Sequence, residues 1–239
     1  EQYSARRPYV DIDVPEHGYD DVVAGISEKS LTKFLGGTLQ PVIDLIADGT
    51  IKGVAGILGC SNLAAGGHDI TTVALTKELL KRDILVLSAG CTTGGLANCG
   101  FCSPAAKKYA GPGLKAVCEK LGIPPVLNFG PCLAIGRIEL VVTELARMMN
   151  VDIPQLPVVI SAPQWLEEQA LADGCFGLAL GLNLHLAQPP AILGSEVVTK
   201  TLTETLESLT GGKVIVEMDP VKAAEKMASV IEEKLGVLV

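Results

Sequence analysis

Val54-Ala55-Gly56-Ile57-Leu58-Gly59-Cys60-Ser61-Asn62 is the stretch on which the reading of this chain turns. Its first five residues are apolar without alternation. That is too short for a helix and hydrophobic on both sides, as in a strand buried between two layers. The same kind of run returns as Ile84-Leu85-Val86-Leu87, as Pro125-Val126-Leu127 and as Pro157-Val158-Val159-Ile160. Between these runs the apolar residues fall at helical spacing, over 71–82, within 104–121 and over 135–149. Strands of this kind, each followed by an amphipathic helix, predict an α/β fold. The expected form is a Rossmann-like open parallel sheet with helices on both faces and right-handed crossovers.

Working outward, the rhythm predicts a helix over 164–172, a strand over 176–180, a helix over 196–209, a strand over 213–217 and a helix over 221–234. Upstream, Ser30 opens a helical pattern that Gly36-Gly37 interrupts and that resumes from Leu39 to Gly49. Residues 1–29 are polar and irregular, with Pro8, Pro15, Gly18 and a cluster of acids from Asp11 to Asp21. They read as a linker or arm toward an upstream domain, so the folded domain is expected over 30–239. The chain starts at Glu1 without an initiator Met or a basic-then-apolar leader, which shows no secretory signal and reads as a piece of something longer.

Composition narrows the function. The chain has 239 residues, 48% hydrophobic and 19% charged, too apolar for a disordered segment. A formal charge of −8 argues against nucleic acid or an anionic membrane as the main partner. No apolar run is long enough to span a bilayer. No G-x-G-x-x-G follows a strand, and no Walker or G-x-S-x-G motif occurs, so nucleotide and serine-hydrolase chemistry lack support.

Seven cysteines remain to be explained. Cys60, Cys91 and Cys132 each follow one of the first three strand runs, and each comes shortly after a glycine: Gly59, Gly90 and Gly130. In an open α/β sheet the carboxyl ends of the strands form the ligand crevice, so three thiols are expected to meet along one edge. Helix N-termini nearby are expected to lower the thiol pKa and favour the ligating thiolate. Thiolates are soft ligands, for iron–sulfur, zinc, nickel or copper(I). Three of them from separate strand ends suit a bulky cluster better than one ion, and leave either an open position or ligands outside the chain. Cys118 and Cys175, among Ala, Val, Gly and Phe, read as small packing residues. Cys99-Gly100-Phe101-Cys102 is a C-x-x-C with no second pair, open to metal, redox or packing roles. His17 and His68 lie in polar segments, and His185 reads as a satisfied, half-buried side chain.

The ordered motifs Gly59-Cys60-Ser61-Asn62, 76–83 (TKELLKRD), Gly90-Cys91, Tyr109-Ala110-Gly111, Pro124-Pro125-Val126-Leu127, Gly130-Pro131-Cys132, Ser161-Ala162-Pro163 and Leu209-Thr210-Gly211-Gly212 resemble the C-terminal domain of the catalytic subunit of anaerobic, nickel-containing carbon monoxide dehydrogenases. The hybrid-cluster proteins are more remotely similar. The resemblance implies a nickel–iron–sulfur cluster between domains that interconverts CO plus water with CO2, two protons and two electrons. It carries three cluster ligands onto Cys60, Cys91 and Cys132, with the remaining ligands and the electron-transfer [4Fe–4S] clusters in an upstream part. It further implies a cytoplasmic homodimer passing electrons to a ferredoxin-like carrier, and a chain inactive on its own.

The chain departs from that family in places. Gln169 stands where the family carries a lysine thought to stabilise bound CO2, and glutamine brings no positive charge. Leu133-Ala134-Ile135-Gly136-Arg137 replaces Val-Asp-Asn-Ser-Arg, Leu63-Ala64-Ala65-Gly66-Gly67 replaces a basic stretch, and Cys99 and Cys102 stand at Ala and Met positions. Two alternatives therefore accompany the carbon monoxide dehydrogenase expectation. One is a hybrid-cluster-like redox enzyme acting on another small molecule such as hydroxylamine. The other is a non-catalytic module whose thiol crevice serves subunit contacts or metal delivery.

Overall fold

All four apolar runs are strands of one sheet. In the computed structural model, which describes residues 25–238, β1 (Gly53–Gly59), β2 (Ile84–Gly90), β3 (Val126–Asn128) and β4 (Val158–Ala162) are joined by β5 (Asn183–Leu186) and β6 (Val214–Val216). Every pairing is parallel, and the spatial order is β3-β2-β1-β4-β5-β6. The order reverses between β1 and β4, which places a ligand crevice at the carboxyl ends of those strands. β1, β2, β4 and β5 are buried along their whole length. That is why β1, β2 and β4 run largely apolar without alternation, whereas β5 alternates and its buried Asn183 and His185 are held by hydrogen bonds.

Ten α-helices flank the sheet among the described residues. They are α1 (Glu28–Phe34), α2 (Gln40–Ala47), α3 (Ile70–Leu80), α4 (Cys91–Asn98), α5 (Pro112–Leu121), α6 (Ile135–Met149), α7 (Glu168–Ala179), α8 (Glu196–Lys200), α9 (Leu206–Thr210) and α10 (Pro220–Leu238). A π-turn, Thr201–Thr205, joins α8 to α9 in the region read as one helix. The pleat of β1 separates the two layers. Gly53 faces Ile231 of α10, whereas Val54, Gly56 and Leu58 face Ile138 and Val142 of α6 and Phe176 and Gly177 of α7.

Three local expectations need correction. The first helix starts at Glu28 rather than Ser30: Ser27 caps it, accepting from the Ser30 N–H, and Ser30 Oγ accepts from the Ser27 N–H at 2.8 Å. Residues 25–29 pack on the domain, through Ile26 N–H to the Asn128 carbonyl and Glu28 to Arg137. Residues 1–24, with most of the expected arm and His17, and Val239 lie outside the described residues.

The helix expected over 164–172 is instead α7, and the strand expected over 176–180 is its last turn. The true strand is β5. The periodic signal here sits in small residues. Ala170, Gly174 and Gly177 are buried at helical spacing. A Cβ on Gly177 would stand 2.2 Å from Ile160 Cδ1, and one on Gly174 2.8 Å from Leu184 Cδ2. The helix can lie on β4 and β5 only because those side chains are missing, and large-residue periodicity does not report that.

The third correction is α4, to which the hydrophobic pattern assigns no element. Cys91-Thr92-Thr93-Gly94-Gly95 is poor in intrinsic helix formers, and burial of Thr92, Thr93, Gly95 and Leu96 against the sheet compensates.

Candidate metal centre

The three strand-end cysteines stand on three loops tied to one another by hydrogen bonds. Gly59 and Gly90 are register partners at the ends of β1 and β2. The Gly90 N–H donates to the Gly130 carbonyl at 2.9 Å, and the Phe129 N–H to the Ser88 carbonyl at 2.8 Å, extending the β2–β3 pairing to Gly130, just ahead of Cys132. The Thr92 hydroxyl donates to the Cys60 carbonyl at 3.0 Å, joining α4 to the β1 loop. Cys60 is buried, Cys132 half-buried and Cys91, the first residue of α4, exposed.

All three preceding glycines have left-handed φ: Gly59 +97°, Gly90 +88° and Gly130 +103°. At Gly90 the requirement is also steric. A Cβ there would meet the Gly59 carbonyl oxygen at 2.5 Å and Cys132 Sγ at 3.2 Å. The third cysteine's sulfur therefore sits beside the turn that delivers the second.

The thiol chemistry differs from expectation at Cys132. Burial pushes its pKa up, the backbone N–H of Cys91 pulls it down, and the neighbouring Cys91, Cys60 and Asp173 push it up again. Desolvation outweighs the expected help from a helix terminus, because Cys132 opens only a short 3-10 turn, Cys132–Ala134. A cation would reverse that balance, since a bound metal deprotonates a coordinating thiol. Among the described residues no three His, Cys, Asp or Glu side chains are grouped so as to hold a metal ion. The sulfurs therefore do not form a ready-made single-ion cage. An all-thiol set on separate loops fits a larger sulfur-bridged cluster completed from elsewhere.

The remaining cysteines divide by burial. Cys118 on α5 and Cys102 are buried, and burial raises both thiols to about 11. Cys99, just after α4, is exposed, with its pKa raised by partial burial and by Asp69. Cys175 is exposed on α7, so its expected packing role is not what the structure shows. The outer face of that helix carries it, since the inner face is taken by the two glycines. His185 is fully buried rather than half-buried. Ser161 Oγ lies 2.7 Å from Nδ1, and Nε2–H donates to the Glu217 carbonyl at 2.9 Å. It is a satisfied core residue.

An apolar cavity of about 370 Å³ lies under α1 and α2, lined by Leu31, Leu39, Ile51, Val54 and Leu85. Its strand residues, Val54, Leu85, Leu87, Leu127 and Val158, all lie short of the carboxyl ends of their strands, so it is not part of the thiol edge.

The match to known proteins agrees with this geometry. Residues 2–221 fit the model of the Prismane/CO dehydrogenase family. The chain belongs to that family. A carbon monoxide dehydrogenase of Methanocaldococcus jannaschii is 57% identical over 212 residues, 89% of this chain and 34% of that protein. A nickel-free structure of carbon monoxide dehydrogenase from Thermococcus sp. AM4 superposes with a TM-score of 0.87 at 46% identity, covering 91% of this chain and 34% of that one. Carbon monoxide dehydrogenase IV from Carboxydothermus hydrogenoformans gives 0.87 at 39% identity, covering 91% and 36%. The chain thus spans about a third of the length of these relatives.

In this member of the Prismane/CO dehydrogenase family, Gln169 is exposed on the first turn of α7. Its amide lies 3.3 and 3.4 Å from the Asp173 carboxylate oxygens. Burial raises the Asp173 pKa, partly offset by that contact. Ala170, between them, packs at Gly59 beside Cys60. Two polar residues that the sequence does not single out, Asn62 and Gln164, are buried at this edge. Their signal is slight: Asn62 closes the motif Gly59-Cys60-Ser61-Asn62 and Gln164 follows Ser161-Ala162-Pro163.

Proposed function

We propose that this chain is the C-terminal, cluster-binding part of a nickel–iron–sulfur carbon monoxide dehydrogenase, interconverting CO plus water with CO2, two protons and two electrons. Cys60, Cys91 and Cys132 would hold the cluster from one side. When bound, the cluster supplies a soft, redox-active centre for a small, weakly basic molecule such as CO. The observation that carries the reading is the mutual hydrogen bonding of the three cysteine loops at one sheet edge. It makes a rigid three-thiolate face, and rigidity is what a site needs to hold metals in fixed geometry.

This chain's own residues have definable tasks. Cys60 is buried and Cys132 half-buried, so water is kept from the sulfurs on the sheet side. Gly90 lets the three loops approach closely, and Thr92 holds the Cys60 carbonyl. Leu63, Leu133 and Leu166 stand exposed on loops at this edge, Leu133 by 91%. An apolar rim around thiols fits burial against further protein, which would bring the missing ligands. Residues 1–24 would lead in from that upstream part, since residues 25–29 already pack on the domain. Homodimerisation, a ferredoxin-like electron carrier, upstream [4Fe–4S] clusters and a cytoplasmic location follow from the same reading. Among the described residues, no helix is long and apolar enough to cross a membrane.

A second reading rests on Gln169 and Asp173. An uncharged amide beside a carboxyl offers hydrogen bonds but no cation to a developing carboxylate. That favours a hybrid-cluster-like reduction of a molecule such as hydroxylamine. Full-length protein prepared without oxygen separates the readings. CO-dependent reduction of a viologen dye is expected. Hydroxylamine reduction without CO oxidation would favour the second reading, and folded protein free of iron would overturn both.

A further inference from the structure

Gln164 makes four hydrogen bonds with its side-chain amide and has no exposed surface. Oε1 accepts from the Thr72 N–H and from the Thr72 hydroxyl, both at 3.1 Å. Nε2 donates to the Asn62 carbonyl at 2.9 Å and to the Gly67 carbonyl at 2.6 Å. Two carbonyls can only accept and an amide N–H can only donate, so the orientation of the side-chain amide is fixed by its partners. Thr72 is in the first turn of α3, and Asn62 and Gly67 bracket the loop that follows Cys60. The residue itself comes from the far side of the crevice, just after β4.

The bonds around it extend the tie. Asn62 Nδ2 donates to the Trp165 carbonyl at 2.9 Å while its Oδ1 accepts from the Ala64 N–H, also at 2.9 Å. Trp165 Nε1 donates to the Gln188 carbonyl at 2.8 Å. The loops after β1, β4 and β5 are thus sewn together across the point where the strand order reverses. No such network is needed for the core, whose apolar residues lie under the sheet faces. A loop whose regular structure is one short 3-10 turn, Leu63–Ala65, and that carries a buried cysteine at its start has to be held by side chains instead.

We infer that Gln164 is a positioning residue for the metal centre: its amide locks loop 61–69 onto α3 and so fixes where Cys60 stands. The inference rests on the proposed role of Cys60 as a cluster ligand. Losing these bonds leaves buried carbonyls and an N–H unpaired, which costs more than each bond's net worth. The loop, rather than the domain, is where that cost is felt.

The test compares wild type, Gln164→Leu, Thr72→Val and Cys60→Ser in full-length protein prepared without oxygen. Gln164→Leu keeps the side chain near its size and removes all four bonds. Thr72→Val removes one and guards against a Gln164 variant that does not fold. Hydrogen exchange read by mass spectrometry should show the amides of 62–72 exchanging at least about tenfold faster in Gln164→Leu, with β1, β2 and α10 unchanged. Iron and nickel content should fall in parallel, and Thr72→Val should lie between. Unchanged loop exchange, or faster exchange with full metal content, overturns the inference. Full metal content in Cys60→Ser overturns the proposed ligand role instead, while loop exchange still decides whether Gln164 holds the loop.

Discussion

Replacing Gly90 by alanine tests whether the three cysteine loops need the close approach seen between β1, β2 and β3. Gly90 has φ +88° and ψ −165°, a combination open essentially only to glycine. Forcing another residue into it costs about 1–3 kcal/mol. The new methyl would also stand 2.5 Å from the Gly59 carbonyl oxygen and 3.2 Å from Cys132 Sγ. Neither the β1 end nor the Gly90 backbone can yield freely, because Gly90 N–H is bonded to the Gly130 carbonyl and Cys60 carbonyl to Thr92. Overpacking of this kind costs about 1–3 kcal/mol more. The sum is about 2–6 kcal/mol, which at about 2–4 °C per kcal/mol for a domain this size lowers the melting midpoint by about 4–24 °C.

Gly94→Ala is the matched control. It lies in α4, the helix that Gly90 precedes, is exposed, has ordinary helical φ, and nothing stands within 4 Å of the new Cβ. There the substitution should stabilise by about 0.5–1 kcal/mol. Thermal unfolding of the two variants beside wild type makes the comparison. A Gly90→Ala protein melting within about 2 °C of wild type would refute the steric account of the thiol edge.

Further expectations concern the site and the core. Gln169→Lys should raise CO oxidation if the family's lysine role transfers to this position, measured by CO-dependent dye reduction; no change would favour the second reading. His185 is buried, and desolvation lowers its pKa below the ordinary value of about 6.5. The unfolded chain therefore binds the proton more readily. Stability is full above about pH 6.5 and is lost as pH falls below it toward the folded pKa. Denaturant midpoints at several pH values should show that loss in wild type and a flatter profile in His185→Gln. In metal-free protein, exposed Cys91 and Cys175 should alkylate quickly at about pH 8, and Cys99, whose pKa is raised, more slowly. Cys102 and Cys118, buried and raised to about 11, should stay unmodified; rapid labelling of Cys118 would contradict the packing described for α5.

The parallel sheet and its two layers were legible because a short apolar run without alternation, bounded by turns and followed by an amphipathic helix, fits little besides a strand covered on both faces. The same continuous runs located β1 to β4, and the residues just beyond them located the three cysteines. What was not legible was structure made by absence. Gly174 and Gly177 seat α7 on β4 and β5 by lacking side chains, so a pattern read in large apolar residues put a strand where the helix ends. α4 escaped for a related reason, since Thr and Gly form it only under tertiary packing. Burial of single polar residues was hidden too. Gln164 and Asn62 look like ordinary loop residues until their partners, about a hundred positions away, are seen. Cys175 shows the reverse error, where an apolar neighbourhood in sequence turned out to be the outer face of a helix.

The central claim is that Cys60, Cys91 and Cys132 together hold an iron-containing cluster. Iron and nickel per chain in anaerobically prepared full-length protein, wild type beside each single cysteine-to-serine variant, tests it most directly. The account predicts both metals in wild type and a loss of nickel with part of the iron in all three variants, while Cys118→Ser retains the full content. Undiminished metal in any one of the three would contradict it.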